Sequence, residues 1–251
     1  MIRWRGKTAV VTGAGSGIGE AITRALLQNE VNVVALDIRK ERLAKLDTEC
    51  KQERSRSLGT LHTICCDINR EEEIDAAFSH VETLGGVDIM VNNAGIVEIS
   101  RIIESDRKAF ERMLDTNVLA VAVCTNKAVR LMRKRNVEGH IFNIISVAGH
   151  YVVPASVGLN LYTASKYAIR ALTQTVRLEI AEIKAPIRVT GISPGAVETN
   201  IVEHSDTMKA FMEQLPKLQP SDIADAVIYA LGTRPEVQIT QLTIQPSGES
   251  Y

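Results

Sequence analysis

Short apolar segments alternate with longer segments of helical periodicity along almost the whole chain. The near-continuous apolar runs are typical of strands that are covered on both faces, as in a parallel sheet. Repeated strand–helix units then predict a single-domain, doubly wound (Rossmann) α/β fold, with helices on both faces of about seven strands. The predicted strands are 8–11, 31–36, 61–66, 87–91, 140–145, 187–192 and 238–244, and the predicted helices are 17–29, 39–53, 70–84, 106–135, 161–184 and 220–232.

Length, composition and charge suit one globular domain that spans residues 1–251. The chain has 251 residues, of which 45% are hydrophobic, and this is enough to bury a sizeable core. The formal net charge of −1 indicates no nucleic-acid partner. No run of about 18 consecutive apolar residues is present, so no membrane span is predicted.

The four cysteines lack the CxxC spacing that is typical of metal and redox motifs, so no metal site is predicted. Free thiols used as small apolar side chains are typical of a reducing compartment. The segment before the first predicted strand has no apolar core of signal-peptide length. These features together predict a cytoplasmic protein. The cysteines are Cys50, Cys65, Cys66 and Cys124.

Tyr162 and Lys166 stand four residues apart at the head of a predicted helix. This spacing places the phenol and the ammonium on one helix face. The reference pKa of a phenol is about 10, and a neighbouring positive charge favours the phenolate. The pair therefore predicts a general acid/base for use near neutral pH. An exposed tyrosine beside a solvated lysine has the same spacing, so the rest of the chain has to decide.

A glycine-rich segment joins the first predicted strand to the first predicted helix. Glycines allow a tight turn and let a pyrophosphate approach the amides at the N-terminus of a helix. The spacing is GxxxGxG, and its place between a strand and a helix predicts a dinucleotide site. The residues predicted to bind the cofactor here are Gly13, Gly15, Ser16, Gly17, Ile18 and Gly19.

Asp37 ends the second predicted strand, twenty residues beyond Gly17. A carboxylate there can accept hydrogen bonds from the adenosine ribose and repels a 2′-phosphate, which favours NAD. A helix N-cap is the other role that Asp37 suits. Arg39 leaves NADP possible, because a guanidinium near the ribose can bind the 2′-phosphate.

Two further segments follow predicted strands at the edge where a doubly wound sheet binds its ligand. After the third strand, Asp67 either bonds the adenine amine or caps the next helix, and its neighbour Ile68 is included in the cofactor set. After the fourth strand, Asn93, Ala94 and Gly95 are small enough for a backbone to approach the cofactor. The same residues would also suit an ordinary turn.

Together these motifs resemble the short-chain dehydrogenase/reductase family. The resemblance covers nearly the whole chain, and the segments 192–199 and 220–229 are similar to the branch that holds insect farnesol dehydrogenases and vertebrate dehydrogenase/reductase member 11. It implies a nicotinamide-dependent alcohol dehydrogenase or carbonyl reductase. The motifs, in the family's order, are the glycine turn, Asn92–Gly95, Asn117, Ser146, Tyr162-x-x-x-Lys166 and Pro194–Thr199.

The resemblance implies a role for each catalytic residue. Tyr162 exchanges a proton with the substrate oxygen, and Ser146 hydrogen-bonds that oxygen. Lys166 holds the nicotinamide ribose and lowers the pKa of Tyr162, while Asn117 supports a water that links Lys166 to solvent. Cofactor contacts are further implied at Pro194, Gly195, Val197 and Thr199.

The chain departs from the family pattern in two places. Ser146 and Tyr162 lie sixteen residues apart, a few more than is usual in the family but similar to this branch. Relatives in the branch often carry a small residue at the position of Asp37, followed by arginines, and that arrangement suits NADP. Asp37 therefore favours NAD, whereas the residues that the relatives carry at this position suit NADP.

The extra residues before Tyr162 and the segment 199–215 are predicted to enclose the substrate. The segment 199–215 is predicted to be a lid, although an amphipathic surface helix would have the same pattern. Its apolar composition favours a hydrophobic substrate. The residues predicted to line the pocket are Val147, His150, Tyr151, Val153, Ile201, Val202, Met208, Phe211 and Met212.

The predicted function is NAD-dependent oxidation of a terpenoid alcohol that resembles farnesol or a monoterpenol. One alternative is an NADP-dependent carbonyl or ketosteroid reductase, and another is a catalytically silent nucleotide-binding sensor or scaffold. The helix near 106–135 carries more apolar residues than one face requires, which predicts that it and the helix near 161–184 form the interface of a homodimer or homotetramer. Packing of these helices on the sheet is the plainer explanation of the same pattern.

Overall fold

The computed structural model describes residues 1–52, 59–152, 154, 157–199, 201, 213 and 215–248. Its centre is one parallel sheet in the order β3-β2-β1-β4-β5-β6-β7. None of the described helices is long and apolar enough to cross a membrane. The strands are β1 (Thr8–Thr12), β2 (Asn32–Asp37), β3 (Leu61–Cys65), β4 (Ile89–Asn92), β5 (Gly139–Ile144), β6 (Ile187–Pro194) and β7 (Gln241–Ile244).

Helices cover both faces of the sheet. Three short 3₁₀ turns and one π-helical segment join them within the described residues. The α-helices are α1 (Gly17–Gln28), α2 (Lys40–Gln52), α3 (Glu71–Thr83), α4 (Arg107–Leu114), α5 (Ala120–Arg135), α6 (Tyr162–Glu182) and α7 (Pro220–Gly232). The 3₁₀ turns are Ile2–Trp4, Ile102–Glu104 and Val147–Gly149, and the π-helical segment is Asp115–Leu119.

Alternate residues of the central strands enter two separate apolar layers. In β1, Ala9 and Val11 pack in the layer that contains α1 and α7. Val10, between them, packs in the layer that contains α3 and α5. Successive side chains of a strand point to opposite faces, so a strand with two covered faces is apolar throughout. The doubly wound fold predicted from the sequence is confirmed.

The last strand begins three residues later than predicted, because a side chain takes over the pairing. The amide group of Gln238 accepts from the N–H of Val189 at 3.1 Å and donates to its carbonyl at 2.8 Å. The side chain thus occupies the backbone groups that a longer β7 would have paired. β7 then pairs with β6 in parallel from Gln241 onward, at the edge of the sheet.

The long helix predicted near 106–135 contains a π-helical segment. The segment Asp115–Leu119 lies between α4 and α5, and it carries the buried side chain of Asn117. A π-helical turn holds an extra residue and is frequent at functional sites. Here it turns Asn117 toward the carboxyl end of β4, where the chain passes through Ile96.

Asp88, just before β4, links this strand to β1 and to α5 by hydrogen bonds. Its carboxylate accepts the N–H of Thr8 at 2.9 Å and the guanidinium of Arg135 at 2.9 Å. The Asp88 side chain is only 3% exposed. A buried carboxylate with two donors fixes the start of β1 and the end of α5 in one place.

We expect Asp88→Ala to lower the free energy of unfolding by about 2–4 kcal/mol, because it leaves a partly buried guanidinium and a buried amide without their partner. Asp75→Ala is the matched control, since Asp75 pairs with Lys127 while 57% exposed. That change should cost less than about 1 kcal/mol. Urea unfolding followed by circular dichroism measures both, and equal losses would contradict the assignment.

Candidate active site

Close backbone contacts define the glycine turn between β1 and α1. Gly13 and Gly17 have φ values of +65° and +56°, in the region that favours glycine. A Cβ atom at Gly19 would lie 2.2 Å from the carbonyl oxygen of Gly13. The turn therefore presents bare backbone at the N-terminus of α1, a cradle that fits a pyrophosphate. This observation supports the predicted dinucleotide site.

The segment after β4 packs directly onto this turn. The Thr12 hydroxyl accepts the N–H groups of Asn93 and Ala94, both at 3.1 Å. The Asn93 amide donates to the carbonyls of Thr12 at 2.9 Å and of Gly13 at 3.3 Å. Asn93, predicted as a cofactor contact, thus also holds the turn in shape. Thr12 was not predicted as a site residue, and its signal in the sequence is a hydroxyl at the end of the first strand.

Asp37 and Arg39 form one hydrogen-bonded unit at the end of β2. The carboxylate of Asp37 accepts the N–H of Gly15 at 2.9 Å and the Nε of Arg39 at 3.1 Å. Arg39 also donates from Nη2 to the hydroxyl of Ser16 at 2.8 Å. Burial on its own would raise the pKa of Asp37, but hydrogen bonds from Arg39 and Gly15 hold it below the ordinary value. Asp37 is therefore ionised at neutral pH.

Asp37 also accepts the backbone N–H of Arg39 at 2.9 Å, before α2 begins at Lys40. It therefore orders the turn that leads into α2. Asp67 does the same after β3, where its carboxylate accepts the N–H of Asn69 at 2.9 Å and α3 begins two residues later at Glu71. The contact of Asp67 with adenine stays a prediction, as does the contribution of Ile68.

Ser146, Tyr162 and Lys166 meet at the carboxyl end of β5. Ser146 follows this strand, and its hydroxyl accepts the N–H of Ala148 at 3.1 Å. The same hydroxyl hydrogen-bonds the phenol of Tyr162, the first residue of α6. The Lys166 ammonium lies 5.4 Å from the centroid of the Tyr162 ring. The structure thus brings together the three residues that the sequence motifs singled out.

The ammonium of Lys166 is held mainly by backbone. Lys166 is 6% exposed, and its Nζ donates to the carbonyl of Ile144 at 3.0 Å. A Cβ atom at Gly95 would lie 3.7 Å from this Nζ and 3.3 Å from the side-chain oxygen of Asn117. Gly95 therefore leaves the ammonium and the amide facing one another across a narrow space.

Burial shifts the pKa values of both members of the Tyr162–Lys166 pair. It raises the pKa of Tyr162 to about 12, against a lowering by the hydrogen bond with Ser146. It lowers the pKa of Lys166 to about 8. The sequence motif predicted a lowered pKa for Tyr162, whereas its pKa in the structure is raised, because the loss of solvent outweighs the hydrogen bond with Ser146. At neutral pH the phenol carries its proton.

Asn117 joins the loop after β4 to the first turn of α6. Its side-chain oxygen accepts the N–H of Ile96 at 2.8 Å, and its Nδ2 donates to the Ile96 carbonyl at 2.9 Å. The same Nδ2 donates to the hydroxyl of Ser165 at 3.1 Å, and that hydroxyl donates to the carbonyl of Tyr162 at 2.7 Å. Ser165 is a positioning residue that the sequence analysis missed, although it lies inside the Tyr162–Lys166 motif.

The segment after β6 lies over the glycine turn. A Cβ atom at Gly17 would lie 3.1 Å from the methyl group of Thr199. Gly195, just past Pro194, donates its N–H to the carbonyl of Ile244 at 2.8 Å, and Val197 is buried. These contacts place the predicted 194–199 segment beside the dinucleotide cradle.

The predicted pocket is described only in part. Val147 is buried, His150 and Tyr151 are half-buried, and Ile201 is 42% exposed. His150 hydrogen-bonds Ser193 and Gln241, on the side of β6 and β7. Of the predicted lid, the structure describes residues 199, 201, 213 and 215. The predictions for Val153, Val202, Met208, Phe211 and Met212 lie outside the described residues.

Comparison with known proteins agrees with this arrangement. Residues 7–210 match the sequence model of the family described as short chain dehydrogenase. The chain belongs to the short-chain dehydrogenase family. It is therefore an oxidoreductase of the alcohol dehydrogenase type that uses NAD or NADP, as the sequence motifs predicted.

Two curated relatives match the chain over its full length or nearly so. It is 43% identical over 255 residues to the farnesol dehydrogenase of Aedes aegypti, with 100% of both chains covered. It is 40% identical over 254 residues to dehydrogenase/reductase SDR family member 11 of Homo sapiens, with 98% of this chain and 96% of the relative covered. Both lie in the branch that the sequence motifs indicated.

Solved structures share the whole architecture. An alcohol dehydrogenase from Thermococcus sibiricus, in complex with 5-hydroxy-NADP, superposes with a TM-score of 0.83 at 26% identity, covering 98% of both chains. A 3-ketoacyl-(acyl-carrier-protein) reductase from Brucella melitensis, in complex with NADH, gives a TM-score of 0.84 at 26% identity, covering 97% of this chain and 98% of that one.

We expect Lys166→Met to raise the free energy of unfolding of the cofactor-free protein by about 1–3 kcal/mol at pH 7, because a charge that is costly to bury is removed. The pKa of Lys166 falls from 10.5 to about 8 on folding. Between these values the unfolded chain holds a proton that the folded chain has lost, so wild-type stability rises with pH. The gain from the substitution should accordingly be largest below pH 8 and shrink toward pH 10.5.

The control for this prediction is Lys108→Met, at an exposed position of α4. It should change the free energy of unfolding by less than about 0.5 kcal/mol. Denaturant titrations of the three proteins at several pH values measure the effect. A stability difference that grows with pH would refute the proposed state of Lys166.

Proposed function

We propose that this protein oxidises a hydrophobic terpenoid alcohol, similar to farnesol or a monoterpenol, with NAD. The observation that carries the proposal is the cluster of Ser146, Tyr162 and Lys166 beside the glycine turn. The full-length similarity to a protein named farnesol dehydrogenase supports the substrate class. A catalytically silent sensor would not need a buried ammonium at a cost in stability.

The proposed reaction assigns one task to each side chain of the cluster. Tyr162 first releases its own phenol proton to solvent, and the resulting phenolate accepts the hydroxyl proton of the alcohol, while the Ser146 hydroxyl, already bonded to that phenol, holds the substrate oxygen in reach. Lys166, fixed on the Ile144 carbonyl, supplies positive charge as the phenol loses its proton. A bound nicotinamide supplies the hydride acceptor, and the protein orients it.

Asn117 completes this arrangement by fixing where Lys166 and Tyr162 stand. Its contacts with Ile96 and Ser165 tie the loop after β4 to the first turn of α6. We propose that a water between Asn117 and Lys166 links the ammonium to solvent. The space bounded by Gly95 supports this role.

The preference for NAD rests on the ionised carboxylate of Asp37. It is 4% exposed and accepts a hydrogen bond from the glycine turn itself, so a 2′-phosphate would approach a fixed negative charge. Arg39 is committed to Asp37 and Ser16. Since cellular NAD pools are usually kept oxidised, NAD dependence favours oxidation of the alcohol.

The preference for an apolar substrate rests on exposed apolar side chains at the carboxyl edge of the sheet. They lie on the segments that follow β4, β5 and β6, and burying such side chains against a ligand is favourable. We propose that they line the substrate entrance together with the predicted lid. These side chains are Ile102, Ile103, Val152 and Ile201.

A second candidate is an NADP-dependent carbonyl or ketosteroid reductase. Two observations favour it. The pKa of Tyr162, raised to about 12, keeps a proton ready for donation to a carbonyl oxygen. The guanidinium of Arg39, whose side chain is 40% exposed, stands beside Ser16 where it can meet a 2′-phosphate.

We further propose a homodimer or homotetramer formed through α4, α5 and α6. Exposed apolar side chains on α4, on the π-helical segment, on α6 and just after α6 support it, because a partner would cover them. A cytoplasmic location is also proposed, since Cys65, Cys66 and Cys124 are free thiols. The exposed apolar side chains are Leu114, Leu119, Tyr167, Leu178 and Ile183.

We expect Tyr162→Phe to lower kcat/KM by about 10²–10⁴, because the proton acceptor is removed. Tyr167→Phe is the matched control, since it removes the hydroxyl of an exposed tyrosine five residues further along the same helix. It should stay within about two-fold of wild type. The assay is formation of reduced cofactor over a panel of terpenols, aliphatic alcohols and hydroxysteroids, with NAD and with NADP.

The substrate panel tests the substrate class and the role of Tyr162 separately. Turnover of hydroxysteroids with NADP, without turnover of terpenols, would favour the reductase over the proposed terpenol dehydrogenase. If Tyr162→Phe kept its rate within a few-fold of wild type on the best substrate, the assignment of Tyr162 would be wrong whichever substrate proved best.

We expect Asp37→Ala to raise the NADP-to-NAD ratio of kcat/KM by at least about ten-fold, because a buried negative charge is lost and Arg39 is released. Arg39→Leu should lower the same ratio. Steady-state kinetics with both cofactors measure the ratio, and thermal unfolding checks that the glycine turn survives. An unchanged ratio in Asp37→Ala would show that Asp37 does not select the cofactor.

A further inference from the structure

A cavity of about 110 Å³ lies between α6 and the strands β6 and β7. None of the residues that line it belongs to the catalytic or cofactor sets described above. Its volume suits several water molecules or one small solute. The lining consists of Ile145, Arg170, Thr173, Gln174, Arg177, Gly191, Thr240 and Gln241.

The lining carries two positive charges and no carboxylate. Arg170, Gln174 and Arg177 share one face of α6, because residues three, four and seven apart lie along the same side of a helix. In the described part of the chain, no acidic side chain pairs with Arg170 or Arg177. Two like charges beside one cavity without a counter-charge favour an anion between them.

The guanidinium of Arg170 still has unused donor capacity. Its Nη1 reaches the carbonyl of Gly149 only at a long 3.4 Å, and its Nε is buried without a hydrogen-bond partner among the described residues. A buried N–H without an acceptor costs free energy. An acceptor oxygen in the cavity would satisfy it.

We propose that this cavity binds a small anion, either a carboxylate or an inorganic oxyanion, between Arg170 and Arg177. Guanidinium groups bind both anions through paired N–H donors. The amides of Gln174 and Gln241 add neutral polar groups to the wall. The site differs from the glycine turn, where backbone amides rather than arginines face the ligand.

An anion in this cavity would affect the active site through two contacts. Arg170 touches the carbonyl of Gly149, which ends the 3₁₀ turn that follows Ser146. Gln241 hydrogen-bonds His150, which directly follows Gly149 in the sequence. Binding would therefore brace the turn that positions Ser146, and the added order should appear as higher thermal stability.

The test is thermal unfolding of the full chain saturated with NADH, so that the glycine turn is blocked to competing anions. Phosphate, sulfate, acetate and malonate are titrated against chloride at constant ionic strength. We expect at least one of the four to raise the melting temperature saturably. A preference for phosphate and sulfate identifies an oxyanion site, whereas a preference for acetate or malonate identifies a carboxylate site.

Arg170→Met and Arg177→Met should each weaken the apparent affinity at least about ten-fold, while Arg170→Lys should retain part of it. Arg130→Met, at an exposed position of α5, is the matched control and should leave the affinity unchanged. Isothermal titration on the same holoenzymes gives the affinities. It also keeps the comparison valid if a variant is less stable.

Three outcomes would overturn the proposal. One is the absence of a saturable shift with all four anions. Another is an equal loss of affinity in Arg130→Met, which would indicate screening of the general surface charge. The third is dissociation of an oligomer in Arg170→Met and Arg177→Met, seen by size exclusion, without anion binding by the wild type. In that case the arginines would serve contact between copies.

Discussion

An ammonium group is held almost out of contact with water by a single carbonyl oxygen at the end of β5. The contact between Lys166 and Ile144 fixes where the charge lies, and the first turn of α6 then fixes where Tyr162 lies. Burying a charge with so little compensation is unfavourable for folding. The sheet and its two apolar layers supply the stability that keeps this arrangement in place.

Most of the fold follows from the sequence, because strands covered on both faces are apolar at every position. All seven strands and the six long helical segments were predicted, and apart from the π-helical turn within 106–135 the differences lie at their ends. The late start of β7 could not be predicted, since the Gln238 amide replaces backbone pairing only when Val189 stands opposite. The spacing of apolar residues does not show where a side chain makes the hydrogen bonds that the backbone of a strand would otherwise make.

The sequence predicted the positions of some site residues, but it did not predict the pKa of Tyr162 or the roles of Thr12 and Ser165. Ser146, Tyr162 and Lys166 meet as their motifs indicated, since each lies at a strand end or on one helix face. The raised pKa of Tyr162 was not predicted, because the spacing of two residues reveals a neighbouring charge and says nothing about solvent. Thr12 and Ser165 were missed for a related reason, since Thr12 binds the backbone of Ala94 and Ser165 binds the side chain of Asn117, and both partners are distant in sequence.

The unit formed by Asp37, Arg39 and Ser16 shows why cofactor preference is hard to derive from one residue type. Read alone, a carboxylate at the end of β2 indicates NAD, and an arginine two residues later indicates NADP. In the structure the ionised carboxylate and the guanidinium form an ion pair, and the arginine also bonds the glycine turn. The preference for NAD or NADP is thus a property of the Asp37–Arg39 pair, and it depends on whether a bound cofactor separates the two side chains.

The π-helical segment Asp115–Leu119 has a consequence for how α4 and α5 can change independently. Each residue of a helix advances the angular position of the next by about 100°. An extra residue within one turn therefore shifts the phase between the two helices, so the buried side of α4 is out of step with the buried side of α5. Deleting one residue from this turn would restore a regular helix and rotate the whole of α4 about its axis relative to α5.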